Sequence, residues 1–196
     1  MKLPLILLSL LILLLPAGYT LGQAIFTEFS GTEQNAPLPP DFSKTTINCP
    51  GGQPTGVLFP APCTPGSRVH MRRAVFFYLA QTTDARTTGI EEITMNGNFD
   101  GWRPDLMGPG SGQMWGTLVF KVADATGKPT GEVWEGTWTG TRTVTGDVAQ
   151  SEIKAVAHGT GGTIEGLKAN WEVTLDPTSG VGVIEGRILA PPGKAR

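Results

Sequence analysis

The residue types that usually hold metal ions are scarce in this chain. Its 196 residues include two histidines and two cysteines, and His70 and His158 stand far apart, with no carboxylate spacing that implies a zinc site. The segment NGNFDG at 96–101 matches the first half of a calcium loop. Its twelfth position is Met107, where a bidentate Glu is needed. We therefore expect no metal.

Nucleotide-binding signatures are lacking as well. The Gly-rich segment HGTGGTIEG at 158–166 has neither the dinucleotide-binding nor the phosphate-loop spacing, and no helical pattern follows it. We expect a structural turn there, and no nucleotide or other cofactor.

Charge is also sparse and evenly mixed. The chain has 15 basic and 17 acidic residues, and charged residues make up 16% of it. The basic cluster at 68–73 is small, since Arg72 and Arg73 point to opposite faces of a strand. This balance argues against nucleic acid or an anionic membrane as a partner.

Long apolar runs are absent except at the N-terminus. One Lys, an apolar run over residues 3–15 and then small, helix-breaking residues form the three-part pattern of a secretory signal. A membrane anchor would need about 20 apolar residues, which is more than this run supplies. The pattern predicts a signal peptide over 1–24, cleaved after Gly22 or Ala24. It also predicts a secreted or periplasmic protein without stable membrane insertion.

Cys49 and Cys63 are the only cysteines. In an exported chain, such a pair favours one disulfide over a metal pair or free thiols. The loop that they close is rich in Pro and Gly and has little means of ordering itself. The disulfide would contribute roughly 3 kcal/mol in the chain-entropy model. It would tie down an irregular excursion at about 34–66, which we expect to form a strap over the body of the domain.

Period-2 alternation of apolar and polar residues dominates the rest of the chain, and no stretch has helical period and length. The 27 glycines and 16 prolines suit a turn-rich all-β domain. Eight strands are predicted at Ile25–Glu33, Arg68–Gln81, Arg86–Phe99, Gln113–Ala123, Glu132–Thr145, Ser151–His158, Leu167–Leu175 and Val181–Leu189.

The strand at 132–145 shows the clearest division into two faces. Tryptophan and glycine alternate on one face, and threonines fill the other, as on a solvated β surface. Inward glycines let strands bend and let a neighbouring Trp lie over bare backbone. We therefore predict a single domain at 25–196, an eight-stranded antiparallel β-barrel, with a β-sandwich as the alternative.

Three charged residues share a face with apolar neighbours, namely Arg73, Glu91 and Arg142. A buried charge must be paired, so an Arg–Glu pair inside the barrel is the expected arrangement if they point inward. With Trp134 and Trp138, these residues form the predicted ligand-binding set of the barrel interior.

The chain resembles the allene-oxide-cyclase-type barrel families, which include the plant cyclases, the dirigent proteins and several secreted bacterial groups of unknown function. The resemblance covers about 68–189. It is carried by ARTTGIEEITMNGNFD, MWGTLVF, WEGTWTGTR and above all HGTGGTIEGLKAN. The bacterial groups are the most similar. The resemblance implies the barrel fold, and no position-by-position match transfers the catalytic residues of the plant enzymes.

Three functional hypotheses remain open. The first is a binding module for a small, partly apolar molecule, and the second, which the resemblance implies, is an isomerase or cyclase that works in the barrel cavity. The third is a structural or protein-interaction barrel with a filled interior. A cavity of several hundred Å³ would favour the first two. Between those two, an inward titratable pair favours the enzyme. A homo-oligomer is compatible with all three.

Overall fold

The computed structural model describes residues 24–50, 63–103 and 108–192. The predicted signal peptide lies outside these ranges except for Ala24, as does most of the loop between the two cysteines. Nine strands are formed: β1 Ile25–Asn35, β2 Thr46–Asn48, β3 Val69–Thr82, β4 Gly89–Arg103, β5 Gly108–Ala123, β6 Pro129–Thr145, β7 Val148–Thr160, β8 Lys168–Asp176 and β9 Val181–Ala190.

The eight long strands close into a ring. They are hydrogen-bonded in the order β1-β9-β8-β7-β6-β5-β4-β3, and β1 also pairs with β3. Every pairing in the ring is antiparallel. The predicted strands and their closure into a barrel are therefore confirmed, and the β-sandwich alternative is wrong. Only the short β2 was not predicted, and it pairs with β3 outside the ring.

The described ranges hold no α-helix and contain two 3-10 turns, Ala85–Thr87 and Gly162–Ile164. The second turn lies within the Gly-rich segment at 158–166 and buries Ile164. No helix in the part of the chain that the structure describes is long and apolar enough to cross a membrane.

The two faces of β6 lie as predicted. Trp134, Trp138 and Arg142 are buried inside the ring, while the threonines between them are exposed. The neighbouring strand makes room for the indoles: a Cβ on Gly116 would stand 3.0 Å from Nε1 of Trp138. On β9, Gly186 makes similar room for Trp171. A Cβ added to Gly186 would lie 2.7 Å from the Cβ of Trp171.

The strand β3 changes face in the middle. Its pairing with β4 shifts register between Met71 and Ala74. Met71 faces inward before the shift, and Ala74 and Tyr78 face inward after it. Arg73 adopts a φ of 60° at the bulge and is exposed. The prediction that Arg73 lies in the barrel interior is therefore wrong, because unbroken alternation does not survive a bulge.

The bulge is stabilised by side chains on the outer surface. Nη1 of Arg72 donates to the backbone carbonyls of Met71 and Gly97, both at 2.7 Å. The backbone N–H of Arg73 donates to Oδ1 of Asn96 at 3.2 Å. These bonds satisfy backbone groups near the point where the β3–β4 pairing is interrupted.

The two ends of the ring differ. At the end where β3 stops and β4 begins, which we call the packed end, Nε1 of Trp134 donates to the carbonyl of Arg86 at 2.7 Å. Leu167 and Ile188 are fully or nearly fully buried there, together with Ile164 from the 3-10 turn. The opposite end, where β3 begins and β4 stops, is called the cavity end.

Residues 36–48 form a strap that crosses the cavity end and lies against β3. Its backbone pairs with that strand between Asp41 and Val75, with N–O distances of 3.0 and 3.1 Å. The ring of Phe42 packs edge-on against Phe76 with centroids 5.6 Å apart. Cys49 and Cys63 form the predicted disulfide at the end of the strap, with their Cα atoms 5.7 Å apart. This part of the excursion therefore lies against β3.

Candidate functional site

A cavity of about 440 Å³ occupies the cavity end of the ring. This volume lies within the range of about 300–1,000 Å³ that is usual for sites of small molecules. Most of its wall is apolar, and the strap contributes one side of it. The apolar lining includes Leu38, Phe42, Met71, Phe76, Phe77, Ile93, Met95, Phe99, Met114, Ile153 and Leu175.

Four polar or amphipathic side chains line the same cavity: Tyr78, Trp138, Arg142 and Ser151. Nε1 of Trp138 is buried and has no hydrogen-bond partner among the described residues. Nε of Arg142 donates to the carbonyl of Pro109 at 3.0 Å. Each of these side chains carries at least one N–H or O–H. The cavity therefore presents donors to whatever enters it.

The charge of Arg142 has no counter-ion within the described ranges. The residue is 8% exposed, and none of the ion pairs formed between described residues includes it. Burial lowers the pKa of its guanidinium from the ordinary value. A guanidinium nevertheless stays protonated in proteins, so the cavity carries a positive charge.

A pair of buried carboxyls, Glu33 and Glu91, lies behind the cavity, and the sequence predicted only Glu91 to face inward. Glu91 faces inward as expected, and Glu33 on β1 joins it from across β3. In the strand register, Glu33 stands opposite Ala80 and Glu91 stands opposite Tyr78. The interior therefore brings two carboxyls together instead of the Arg–Glu pair that we expected.

Burial governs the protonation of this pair. It raises the pKa of Glu33 to about 7. Burial and the charge of Glu33 together raise the pKa of Glu91 well above its usual value. Burial, followed by the charges of both carboxyls, also raises the pKa of Tyr78. Below neutral pH, the group is therefore predominantly uncharged.

The carboxyls do not line the large cavity. Both border a small void of about 10 Å³ that shares four of its walls with the cavity, namely Tyr78, Ile93, Trp138 and Ile153. These shared residues form the floor between the cavity and the carboxyl pair. A molecule in the cavity would thus contact the floor first.

The predicted ligand-binding set is divided by the structure. Trp138 and Arg142 line the cavity. Glu91 is buried behind its floor, and Trp134 lies at the packed end beside a second small void. Arg73 is on the outer surface.

Sequence reasoning missed three buried polar residues. Alternation continued from Phe29 would have reached Glu33 on the inward face. The same count through β7 places Ser151 inside, directly opposite Arg142. Tyr78 faces inward only because the bulge at Arg73 reverses the faces of β3, and no pattern in the sequence indicates that bulge.

The candidate site has no metal-binding character. Within 24–50, 63–103 and 108–192, no three His, Cys, Asp or Glu side chains lie close enough together to hold a metal ion. A divalent cation takes six or more oxygens in its common oxygen sites. Two buried carboxyls offer too few oxygens, and the apolar walls offer none.

Comparison with known proteins finds no relative: no protein-family model matches the chain, and no curated protein and no solved structure matches it significantly.

Proposed function

We propose that this chain is a binding protein for a small, partly apolar molecule that sits in the cavity end of the barrel. The observation that carries the proposal is the cavity of about 440 Å³, with mainly apolar walls and the guanidinium of Arg142 among its lining side chains. A guanidinium among apolar walls needs a hydrogen-bond acceptor, and a ligand with an acceptor atom can supply one. A barrel with a filled interior would leave no such volume.

A second candidate is an isomerase or cyclase, which the resemblance to allene-oxide-cyclase-type barrels also suggests. The specific observation in its favour is the Glu33–Glu91 pair, because carboxyls with raised pKa values can act as general acids near neutral pH. Against it stands their position behind the floor, since a general acid must reach the reacting atom within hydrogen-bond distance. Binding is therefore favoured over catalysis.

Native mass spectrometry of the protein purified from its source tests the proposal. We expect a retained small molecule that dissociates on unfolding. A variant that fills the cavity, Ser151→Phe, should lose this molecule. Gln150→Phe is the matched control, because Gln150 is exposed on the outer face of the same strand.

Two results would contradict binding in the cavity: a wild-type protein that carries no adduct, or an adduct that survives Ser151→Phe. Chemical comparison of the molecule before and after incubation with the protein separates the two candidates. A binding protein returns it unchanged, and an isomerase returns a product of equal mass and different structure.

We also propose that the chain is secreted after removal of its signal peptide. The Cys49–Cys63 disulfide supports this, because such bonds persist in oxidising compartments. N-terminal sequencing of the exported protein should begin at Gln23 or Ile25. A chain that retains Met1 would contradict the proposal.

A further inference from the structure

Resting on the proposed binding function, we infer that the ligand is a monoanion: an apolar molecule with one carboxylate or similar group that pairs with Arg142, and with an apolar body directed towards Trp138.

The polar groups that line the cavity all carry hydrogen-bond donors. Arg142 can donate hydrogen bonds and cannot accept them, and hydroxyls from Tyr78 and Ser151 supply two further donors. No hydrogen bond to another described residue occupies either hydroxyl, the Nη atoms of Arg142 or Nε1 of Trp138. Among the described residues, no carboxylate lines the cavity. Its polar groups are therefore complementary to an acceptor, and best to an anion.

Arg142 has no counter-ion among the described residues. A buried cation without an anion is costly, so an Arg in such a position needs a partner. Glu33 and Glu91 do not serve, because neither forms an ion pair with Arg142 and Arg142 is not among the groups that shift their pKa values. Since no described residue supplies this anion, we assign it to the ligand.

The guanidinium of Arg142 is held at one edge by the backbone. The bond from Nε to Pro109 fixes one edge of it and leaves the Nη hydrogens for another acceptor. Ser151 stands directly opposite Arg142 in the β6–β7 register. One oxygen of a carboxylate can thus meet the guanidinium while the Ser hydroxyl donates to the same group.

The cavity wall between Arg142 and Trp138 sets the length of the ligand. Trp138 and Arg142 are four residues apart on β6, which is roughly 13 Å along an extended strand. Gly140 lies between them on the inward face, flanked across the sheet by Met114 and Ile153. This intervening surface is apolar. A ligand with an anionic group at Arg142 and an apolar body about two rings long fits this wall.

Isothermal titration calorimetry with two probes of equal shape tests the inference. The probes are naphthalene-2-carboxylate and its uncharged analogue naphthalene-2-carboxamide. Wild-type protein should bind the carboxylate at least about tenfold more tightly, as expected for a charge-assisted hydrogen bond from the guanidinium. In Arg142→Gln, the two affinities should agree within about twofold, with the amide affinity unchanged. Arg187→Gln, on the outer surface, should retain the wild-type preference.

Equal affinities in the wild type, or a carboxylate preference that survives Arg142→Gln, would overturn the inference and leave the proposed function intact. If neither probe binds, the result contradicts both the inference and the proposed function. The melting temperature of Arg142→Gln provides an independent check that the variant folds. It should fall by no more than about 4 °C, since the variant loses one hydrogen bond to Pro109 while an unpaired charge is removed. A fall of about 10 °C would show a broken internal ion pair and would refute the inference.

Discussion

Replacing Glu33 with Gln should make the protein more stable at neutral pH and leave it nearly unchanged in acid. Glu33 is 3% exposed, and its side chain makes no hydrogen bond to any other described residue. The unfolded chain releases this proton near pH 4.5, whereas burial holds the pKa in the folded protein at about 7. Between these values the unfolded state binds fewer protons, so the free energy of unfolding falls as the pH rises.

The magnitude follows from the two pKa values. Each pKa unit corresponds to about 1.4 kcal/mol. The change from 4.5 to about 7 therefore amounts to about 3 kcal/mol. A Gln at this position has no proton to release. Variant and wild type should have free energies of unfolding within about 1 kcal/mol below pH 4.5, and the variant should be about 3 kcal/mol more stable above pH 7.

Urea denaturation followed by tryptophan fluorescence, from about pH 4 to about pH 8, measures this difference. Subtracting the wild-type curve removes the titration of groups common to both chains. Glu28→Gln is the matched control, because Glu28 is exposed on the outer face of the same strand. Its difference from the wild type should stay within about 0.5 kcal/mol. A Glu33→Gln difference that does not grow with pH would refute the assignment of a neutral, unpaired carboxyl.

Three further changes test the packing. Trp134→Phe should cost about 1 kcal/mol more in urea denaturation than Trp138→Phe, because only the first loses a hydrogen bond of the folded protein; equal costs would contradict this. Gly116→Ala places a methyl group against a backbone carbonyl of the adjacent strand and should cost at least about 2 kcal/mol, so an unchanged melting temperature would disprove the close approach. Cys49→Ala with Cys63→Ala should lower the free energy of unfolding by about 3 kcal/mol, and dithiothreitol should affect the wild type but not this double variant.

The interior of β6 was predictable, and that of β3 was not. On β6, unbroken alternation from Trp134 to Arg142 assigns each residue to a face, and the structure agrees. On β3, the bulge at Arg73 reverses the faces halfway along the strand. A bulge depends on hydrogen bonds from β4 and on the Arg72 side chain, so the local sequence carries no period that indicates it.

The candidate site shows the same division. Trp138 and Arg142 were predicted to line the interior because they belong to one strand and one face. Glu33 and Glu91 are 58 positions apart in the sequence and come close only because β1 closes the ring against β3. The raised pKa values of the two carboxyls follow from that contact and from burial, neither of which is a local property.

By itself, the sequence determined the all-β class, the eight long strands, the disulfide and the inward face of β6. These follow from alternation, glycine placement and cysteine count, which act over a few residues. Only the tertiary structure decided between the predicted barrel and the β-sandwich alternative, and only it showed the outward position of Arg73, the carboxyl pair and the cavity lined by Arg142. Each of these depends on which strands become neighbours and in what register, because side chains distant in sequence then share one interior.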